Sequence, residues 1–318
     1  MSKPPDYGKL KNKSAGGLKF TQMTKLEQYY NKFHEEHRLT TRHGRVEFST
    51  SMHYISECIR LLEEKRAAAG THAAGTSDTG SPAASPAAPQ QAPAPLKIAD
   101  IGAGTGRYSV ELCHQGYDLT AVELVKHNLE ILRAKHENIK TWQGDARSLP
   151  FLEDETFDLV ILFGPLYHLH GDQNKLQALS EAIRITKKGG FILAGYVMND
   201  YSVLSYCFKE HKWAEVAAKN GLTPDFHTIC TEEDLYDYVR LEDINRLAEA
   251  SGLNRYKIIA PDGAADYMRR ELNEMSEEEF AAFLEYQKQI AERPELLGAS
   301  SHIVDILQKK IDFPKNQC

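Results

Sequence analysis

The stretch DIGAGTG at residues 100–106 has the residue types and the spacing best suited to chemistry. An apolar run precedes it and an amphipathic segment follows, which predicts a strand, a tight loop and a helix. Gly102, Gly104 and Gly106 let such a loop turn sharply and let a ligand approach its backbone closely. Asp100 adds a carboxylate two residues before the first glycine. The pattern therefore predicts a ligand-binding loop, with a purely structural turn as the alternative.

The spacing of these glycines separates two classes of cofactor. Loops that bind a dinucleotide favour G-x-G-x-x-G, and Arg107 stands where the third glycine of that pattern would be. Alternate glycines after an acid resemble the first motif of the class I S-adenosylmethionine-dependent methyltransferases. The resemblance implies S-adenosyl-L-methionine as cofactor and S-adenosyl-L-homocysteine as product, with Asp100 near the ammonium group and the glycines and Ala103 along the ligand. A NAD-dependent oxidoreductase is the alternative for this loop.

Two downstream segments resemble the same family in the expected order. Glu123 ends the second predicted strand, where the resemblance places a carboxylate on both ribose hydroxyls, and Leu124 follows it. The segment WQGDARSLPF (142–151) resembles the exit of the third strand. There Asp145 is expected to accept a hydrogen bond from the adenine amino group, and Ala146 to contribute a backbone contact.

The fourth predicted strand and its exit, FDLVILFGPLYHL (157–169), resemble the place where the methyl donor faces its acceptor in this family. Phe163 is expected to contact the cofactor there. The segment 178–196 resembles the helix and strand that follow, so the resemblance covers roughly residues 96–197. A bacterial group of these enzymes shares the GPLYHL loop and an N-terminal helical segment, but the resemblance implies no particular acceptor.

Tyr167 and His168 follow the fourth predicted strand, where an acceptor would lie. Methyl transfer mainly requires alignment of the reactants and exclusion of water, and a base only when the acceptor must lose a proton. We therefore predict that His168 is a general base or orients the acceptor, and that Tyr167 contacts it. A structural hydrogen bond of His168 within the loop is the alternative. Aromatic residues at 235–243 are further candidates for an acceptor pocket or for the core.

No metal site is predicted. His168 and His170 have no third ligand nearby in the sequence. The histidines of HEEH (34–37) are three residues apart, unlike those of a zinc-binding helix, so we interpret HEEH as a solvent-facing helix surface. The five cysteines are scattered and form no C-x-x-C pair, which favours reduced thiols.

An N-terminal helical lid is predicted over residues 24–66, from two amphipathic segments joined by the polar turn LTTRHGRV at 39–46. Tyr30 is predicted to close over the cofactor. Arg42 and His43 are predicted to bind an acidic acceptor. The alternative is a solvated turn and a core aromatic residue.

The composition is typical of a globular protein, with 42% hydrophobic and 26% charged residues among 318. The net charge of −7 argues against a nucleic-acid partner, because phosphate neutralisation supplies most of the affinity of such proteins. No apolar run is long enough to span a membrane, and the N-terminus lacks the apolar core of a secretory signal. We therefore predict a cytoplasmic protein with no membrane partner, and make no prediction of its oligomeric state.

Strands and helices alternate from residue 96 onward, which predicts a Rossmann-like, doubly wound α/β sheet of seven mostly parallel strands. The resemblance implies that the last strand, at 301–307, is antiparallel. The predicted parts of the chain are a disordered tail (1–23), the helical lid (24–66), a flexible Ala/Pro-rich linker (67–95), the cofactor-binding half (96–200), and the remainder of the sheet with helical cap insertions (201–318).

These expectations favour a methyltransferase that acts on a small-molecule acceptor, because a helical cap suits an enclosed pocket. One alternative is a methyltransferase acting on RNA or protein, against which the cap and the acidic charge argue. Another is a non-catalytic scaffold that binds the cofactor, against which the complete set of cofactor residues argues.

Overall fold

Seven strands form one sheet in the computed structural model, which describes residues 25–32, 35–73 and 94–311. The strands are, in chain order, β1 (Lys97–Ile101), β2 (Asp118–Glu123), β3 (Ile139–Gln143), β4 (Phe157–Leu162), β5 (Thr186–Val197), β6 (Asn254–Ile259) and β7 (His302–Gln308). Their order across the sheet is β3-β2-β1-β4-β5-β7-β6. The first five strands pair in parallel, whereas β7 runs antiparallel to β5 and β6. The predicted Rossmann-like sheet with an antiparallel last strand is confirmed.

Helices cover both faces of this sheet. The α-helices of the described residues are α1 (Lys25–Tyr30), α2 (Arg42–Ala73), α3 (Arg107–His114), α4 (Lys126–Ala134), α5 (Gly171–Ile185), α6 (Asn199–Ser202), α7 (Trp213–Ala218), α8 (Leu241–Ser251), α9 (Arg269–Glu274), α10 (Glu277–Ile290) and α11 (Pro294–Leu297). There are also 3-10 turns at Glu35–Thr40 and Pro165–His168, and a π-helical turn at Val203–Lys209. None of these helices has the length and apolar character needed to cross a membrane.

Two apolar cores, one on each face of the sheet, explain the continuous apolar runs of the central strands. One core contains Leu179 of α5 and Leu247 of α8, and the other contains Ile55 of α2 and Leu112 of α3. All six residues of β4 are buried between them, as expected for a central parallel strand. Helix α2 is therefore part of the core.

The N-terminal segment differs most from the prediction. The helix predicted over 24–38 is divided between α1 and the first 3-10 turn, and α2 contains the last five residues of the polar turn predicted at 39–46. Gly44 gives the physical reason. It lies inside α2 where the 3-10 turn crosses the helix, and a Cβ on Gly44 would collide with the carbonyl oxygen of Arg38. A glycine that suggests a turn in the sequence thus permits close packing of two helical segments.

Two other predicted segments are divided differently in the structure. Helix α2 continues to Ala73, into the predicted linker at 67–95. The rest of that segment up to residue 93, and the tail predicted at 1–23, lie outside the described residues. The helix predicted over 201–220 is replaced by α6, a π-helical turn and α7.

One edge of the sheet, here called the carboxyl edge, gathers the loops that follow β1, β2, β4 and β5. Neighbouring strands β1 and β4 are followed by helices on opposite faces, because α3 and α5 pack in different cores. Such a switch point is where open α/β sheets bind ligands. Since β7 is antiparallel, its first residue, His302, pairs with Val197 at the end of β5 and reaches the same edge.

Candidate functional site

The glycine loop, residues 102–106, joins β1 to α3 at the carboxyl edge. Gly102, Gly104 and Gly106 have φ angles of 78°, 56° and 84°, a left-handed backbone that favours glycine. A Cβ on Gly102 would lie 2.5 Å from Pro165 Cδ, whereas the atom nearest to a Cβ on Gly104 is Cγ of Glu35, at 3.6 Å. The loop is therefore closed by packing at Gly102 and more open at Gly104.

The exit loop of β4, residues 163–169, packs directly against the glycine loop. A Cβ on Gly164 would lie 3.1 Å from the carbonyl oxygen of Gly102. The Phe163 ring lies edge-on to the Tyr108 ring of α3, with ring centroids 5.0 Å apart. The structure thus brings the loop predicted to face the acceptor into contact with the loop predicted to bind the cofactor.

Glu123 links the end of β2 to the glycine loop. The backbone N–H of Gly104 donates to Oε2 and that of Val125 donates to Oε1, both at 2.8 Å. Glu123 is 6% exposed, and burial raises its pKa to about 7 although both hydrogen bonds oppose the shift. Its carboxylate fixes the Gly104 backbone and keeps lone pairs for a ligand hydroxyl. Leu124, the next residue, presents an exposed apolar side chain.

Asp100 is attached to the first turns of α3. The Ser109 hydroxyl donates to Oδ2 of Asp100 at 2.6 Å. Burial raises the pKa of Asp100 to about 6, against the opposing effect of hydrogen bonds from Ser109. The N–H groups of Gly102 and Ala103 donate to the carbonyl oxygen of Val122, at 2.8 and 3.0 Å. These bonds fix the start of the glycine loop, and the contact of Asp100 with an ammonium group stays a prediction.

Asp145 is paired with a cation that the sequence analysis did not single out. Arg147 donates to it from the backbone N–H at 2.9 Å and from Nη2 at 2.7 Å, and also donates to Asn174 at 2.9 Å. Burial acts to raise the pKa of Asp145, but the hydrogen bonds from Arg147 outweigh burial and lower the pKa. Ala146 is buried beside it. An adenine amino group would therefore share the Asp145 carboxylate with Arg147.

His168 is held by hydrogen bonds at both ring nitrogens. Nδ1 lies 2.9 Å from the carbonyl oxygen of Leu235, and Nε2 lies 2.9 Å from the Tyr30 hydroxyl. Because a carbonyl only accepts, Nδ1 carries the hydrogen, and Nε2 of the neutral ring accepts from Tyr30. Burial lowers the pKa of His168 to about 4. Tyr30 therefore contacts the exit loop. His168, which was predicted to act as a base or to orient the acceptor, is neutral near pH 7.

Tyrosine rings surround His168. Tyr236 stacks on it with centroids 5.2 Å apart, and Tyr167 meets it edge-on at 4.6 Å. Tyr167 also meets Tyr236 edge-on at 5.8 Å. We call Tyr30, Tyr167, His168 and Tyr236 the aromatic cluster. Tyr236 comes from the segment 235–243, so one of its aromatic residues lies beside the predicted acceptor position.

Arg38 joins two carboxylates at the N-terminal side of the site. Its guanidinium donates to Glu35 Oε1 at 3.0 Å and to Glu47 Oε2 at 2.7 Å. The side chains of Glu35 and Glu47 are only 15% and 14% exposed. The interpretation of HEEH as a solvent-facing surface is therefore wrong for Glu35, because residues three apart share one face of a 3-10 turn. Glu36 and His37 are exposed, and His34 lies outside the described residues.

Arg42 is bonded to the end of α9, and its predicted contact with an acceptor stays a prediction. Its Nη1 donates to the carbonyl oxygens of Leu272 and Met275, at 3.1 and 2.8 Å, and so satisfies the end of α9. His43 is half-buried, with Nε2 3.9 Å from Asp266. Burial lowers the pKa of His43, and its predicted contact with an acceptor stays a prediction.

His302 and Asp262 form a second ion pair at the carboxyl edge. His302 Nδ1 lies 2.7 Å from Asp262 Oδ2, and the backbone N–H of His302 donates to Oδ1 at 3.1 Å. Burial acts to lower the pKa of His302, but Glu47 and Asp262 outweigh it and raise the pKa to about 9. The His302 ring lies 6.3 Å from the Tyr167 ring. No spacing in the sequence connects these residues, so sequence reasoning missed them.

Curated proteins with sequences similar to this one are methyltransferases by name. A demethylmenaquinone methyltransferase of Renibacterium salmoninarum is 35% identical over 95 residues, which are 30% of this chain and 38% of that protein. An uncharacterized methyltransferase of Schizosaccharomyces pombe is 28% identical over 194 residues, which are 56% of this chain and 72% of that protein. The chain spans about half or less of the demethylmenaquinone methyltransferases that it matches.

A solved structure of a SAM-dependent methyltransferase from Methanosarcina mazei superposes with a TM-score of 0.46 at 13% identity, covering 70% of this chain and 95% of that one. Residues 99–194 of this chain match a family described as "Methyltransferase domain". The segment that contains the glycine loop, Glu123, Asp145 and the exit loop is therefore similar in sequence to a methyltransferase domain.

Proposed function

We propose that the chain is an S-adenosylmethionine-dependent methyltransferase that acts on a small-molecule acceptor. The observation that carries this proposal is the contact between the glycine loop and the exit loop of β4, within the segment that matches a methyltransferase domain. Two loops in contact at a switch point of the sheet bring a bound cofactor and an acceptor within reach of each other.

The residues around the glycine loop fit this cofactor. Gly104 leaves room for the edge of a ligand, and Glu123 presents a buried carboxylate to two ribose hydroxyls. Asp145 accepts hydrogen bonds on the adenine side. Asp100, two residues before the first glycine, and Glu35, whose Cγ would lie 3.6 Å from a Cβ on Gly104, are assigned to the ammonium group. When bound, S-adenosylmethionine supplies an electrophilic methyl group on a sulfonium and is converted to S-adenosylhomocysteine.

The exit loop binds and orients the acceptor. With Tyr30 in place, the Nε2 lone pair of His168 accepts a hydrogen bond from the Tyr30 hydroxyl. The ring then holds Tyr30 in position and takes no proton from the acceptor. Where the acceptor must lose a proton, displacement of the Tyr30 hydroxyl frees that lone pair to receive it. Tyr167 and Tyr236 pack around the ring and exclude water from it.

Three features favour a small molecule over RNA or protein as acceptor. The contact between Tyr30 and His168 supports a lid over the exit loop, which suits an enclosed acceptor. The net charge of −7 opposes a polyanionic partner. Several relatives also carry the name demethylmenaquinone methyltransferase, which specifies a small molecule. A cofactor-binding scaffold without activity would need no residues ordered around an acceptor position.

Calorimetric titration of the full chain with S-adenosylmethionine tests the cofactor assignment. The substitution Gly104→Ala should weaken binding at least about tenfold, because a methyl group enters the open side of the loop. Gly116→Ala is the matched control. Gly116 also has a positive φ, 93°, but a Cβ there would meet no atom of the described residues within 4 Å. Its affinity should change by less than about twofold, and absence of binding to the unaltered chain refutes the proposal.

Incubation with a methyl-labelled cofactor and a cell extract tests the acceptor class. We expect label in the small-molecule fraction, dependent on active protein. Label confined to RNA or to protein would support the macromolecular alternative instead. Tight binding of the cofactor with no transfer to any fraction would support the scaffold.

A further inference from the structure

Three side chains from distant parts of the chain converge beside the acceptor position. They are Glu47 on α2, Asp262 after β6 and His302 at the start of β7. One ligand atom from each, two carboxylate oxygens and one imidazole nitrogen, lies within 4.8 Å of the other two. The His302 ring is 6.3 Å from the Tyr167 ring of the exit loop. The three residues therefore form a compact donor set at the carboxyl edge.

The spacing of these atoms matches the ligands of a single ion. Imidazole and carboxylate ligands lie about 2.0–2.2 Å from a metal such as zinc, so two ligands of one ion are separated by roughly 3 to 4.4 Å. His302 Nδ1 and Asp262 Oδ2 are 2.7 Å apart, a hydrogen-bond distance just below this range. A small movement of the His302 ring would open the pair to admit an ion.

The charges around this donor set favour a divalent cation. Arg38 is bonded to two carboxylates, Glu47 of the donor set and Glu35 beside it. Asp262, the third, is 2% exposed. A histidine must be neutral to bind a metal, so an ion would displace the proton that His302 carries in the ion pair with Asp262. Three carboxylates against one guanidinium would then leave two negative charges, which one divalent ion balances. The nearby Asp266 does not change this net charge, because its carboxylate pairs with the guanidinium of Arg269 at 2.6 Å.

The hydroxyl of Thr50 is a second, independent sign of a missing ligand. Thr50 lies one turn after Glu47 on the same face of α2, and it is 0% exposed. Its Oγ1 has no hydrogen-bond partner among the described residues. A buried polar atom without a partner calls for an explanation, and an unseen ion or water is one.

We propose that Glu47, Asp262 and His302 bind one divalent metal ion, with Mn²⁺ and Zn²⁺ as the ions that suit one imidazole and two carboxylates. The site revises the expectation of no metal, which considered only ligands close together in the sequence. Metal binding itself does not depend on the proposed methyl transfer. If that function holds, the ion lies on the acceptor side and binds an oxygen of the acceptor.

Titration of the metal-free full chain with Mn²⁺, followed by electron paramagnetic resonance, and with Zn²⁺, followed by calorimetry, tests the proposal. We expect one saturable site per chain for at least one ion. The substitutions Glu47→Gln and His302→Gln should each weaken it at least about tenfold. Glu47→Gln keeps an oxygen that accepts from Arg38, so loss of binding in this variant reports on the missing charge.

His114→Ala is the matched control, because His114 also pairs with a carboxylate, Glu137 at 2.9 Å, but on an exposed surface. Its metal affinity should equal that of the unaltered chain. Thermal unfolding and S-adenosylmethionine binding of every variant separate loss of the metal site from loss of the fold or of the proposed function. The proposal is overturned if neither ion saturates one site, or if both glutamine variants bind as the unaltered chain does.

Discussion

The hydrogen bonds of His168 determine when its ring carries charge. Nε2 accepts from the Tyr30 hydroxyl, and a proton on Nε2 would end that bond and require the hydroxyl to accept instead. It would also place a charge between the rings of Tyr167 and Tyr236. Burial, the largest cause, lowers the pKa to about 4. Burial therefore keeps this one ring neutral near pH 7.

We expect His168 to make the folded state less stable as the pH falls from about 6.5 to about 4. The unfolded chain takes up the proton near pH 6.5 and the folded chain near pH 4, so between these values the unfolded state binds more protons. Urea unfolding should show that His168→Gln loses about 1–2 kcal/mol less than the unaltered chain between pH 7 and pH 5. Equal losses would show that His168 does not titrate in this way.

The crossing of the first 3-10 turn over α2 decides which charged side chains reach the site. At the crossing, the backbone of Arg38 and Leu39 lies against Gly44. The crossing turns Arg38 and Glu35 inward, toward Glu47. Arg42, at the start of α2, points to α9 instead. The contact at Gly44 thus separates Arg38, which faces the site, from Arg42, which is bonded to the end of α9.

The substitution Gly44→Ala tests this crossing, because the crossing determines whether the variant is more or less stable than the unaltered chain. Helix propensity alone predicts that alanine stabilises an exposed helix by about 0.5–1 kcal/mol. The added Cβ would collide with the Arg38 carbonyl oxygen, so we expect destabilisation by about 1–3 kcal/mol. Chemical denaturation measures the difference, and a more stable variant would exclude the close contact.

Site residues that belong to one strand–loop–helix unit could be predicted from the sequence. Glu123 and the glycine loop each lie directly after an apolar strand, so their place at the carboxyl edge follows from the strand itself. The pairing of Arg38 with Glu47 could not be predicted, because it depends on how the first 3-10 turn crosses α2. The polar residues 39–46 between them predict a turn and give no sign of this crossing. The position of His302 at the carboxyl edge depends on the antiparallel pairing of β7 with β5. No local spacing in the sequence encodes that pairing.

At the level of the whole molecule, the N-terminal segment both completes the core and covers the site. Tyr54, Ile55 and Ile59 of α2 are at most 3% exposed and belong to one of the two cores. Tyr30 and Glu35, nearer the N-terminus, contact the site and contribute no buried residue to that core. The segment predicted as one lid at 24–66 therefore has two roles that truncation can separate.

Two truncations test this division. Removing residues 1–34 takes away Tyr30 but leaves the first 3-10 turn and α2, so we expect a folded chain that binds S-adenosylmethionine. The pKa of His168 should then rise from about 4 toward its ordinary value, as nuclear magnetic resonance titration would show. Removing residues 1–66 deletes several buried side chains, of which Tyr54, Ile55 and Ile59 alone are worth about 2–5 kcal/mol each. That sum is comparable with the whole stability of a domain, about 5–15 kcal/mol, so circular dichroism should show an unfolded chain. If the longer deletion still folds, the sheet is stable without α2 and the prediction is wrong.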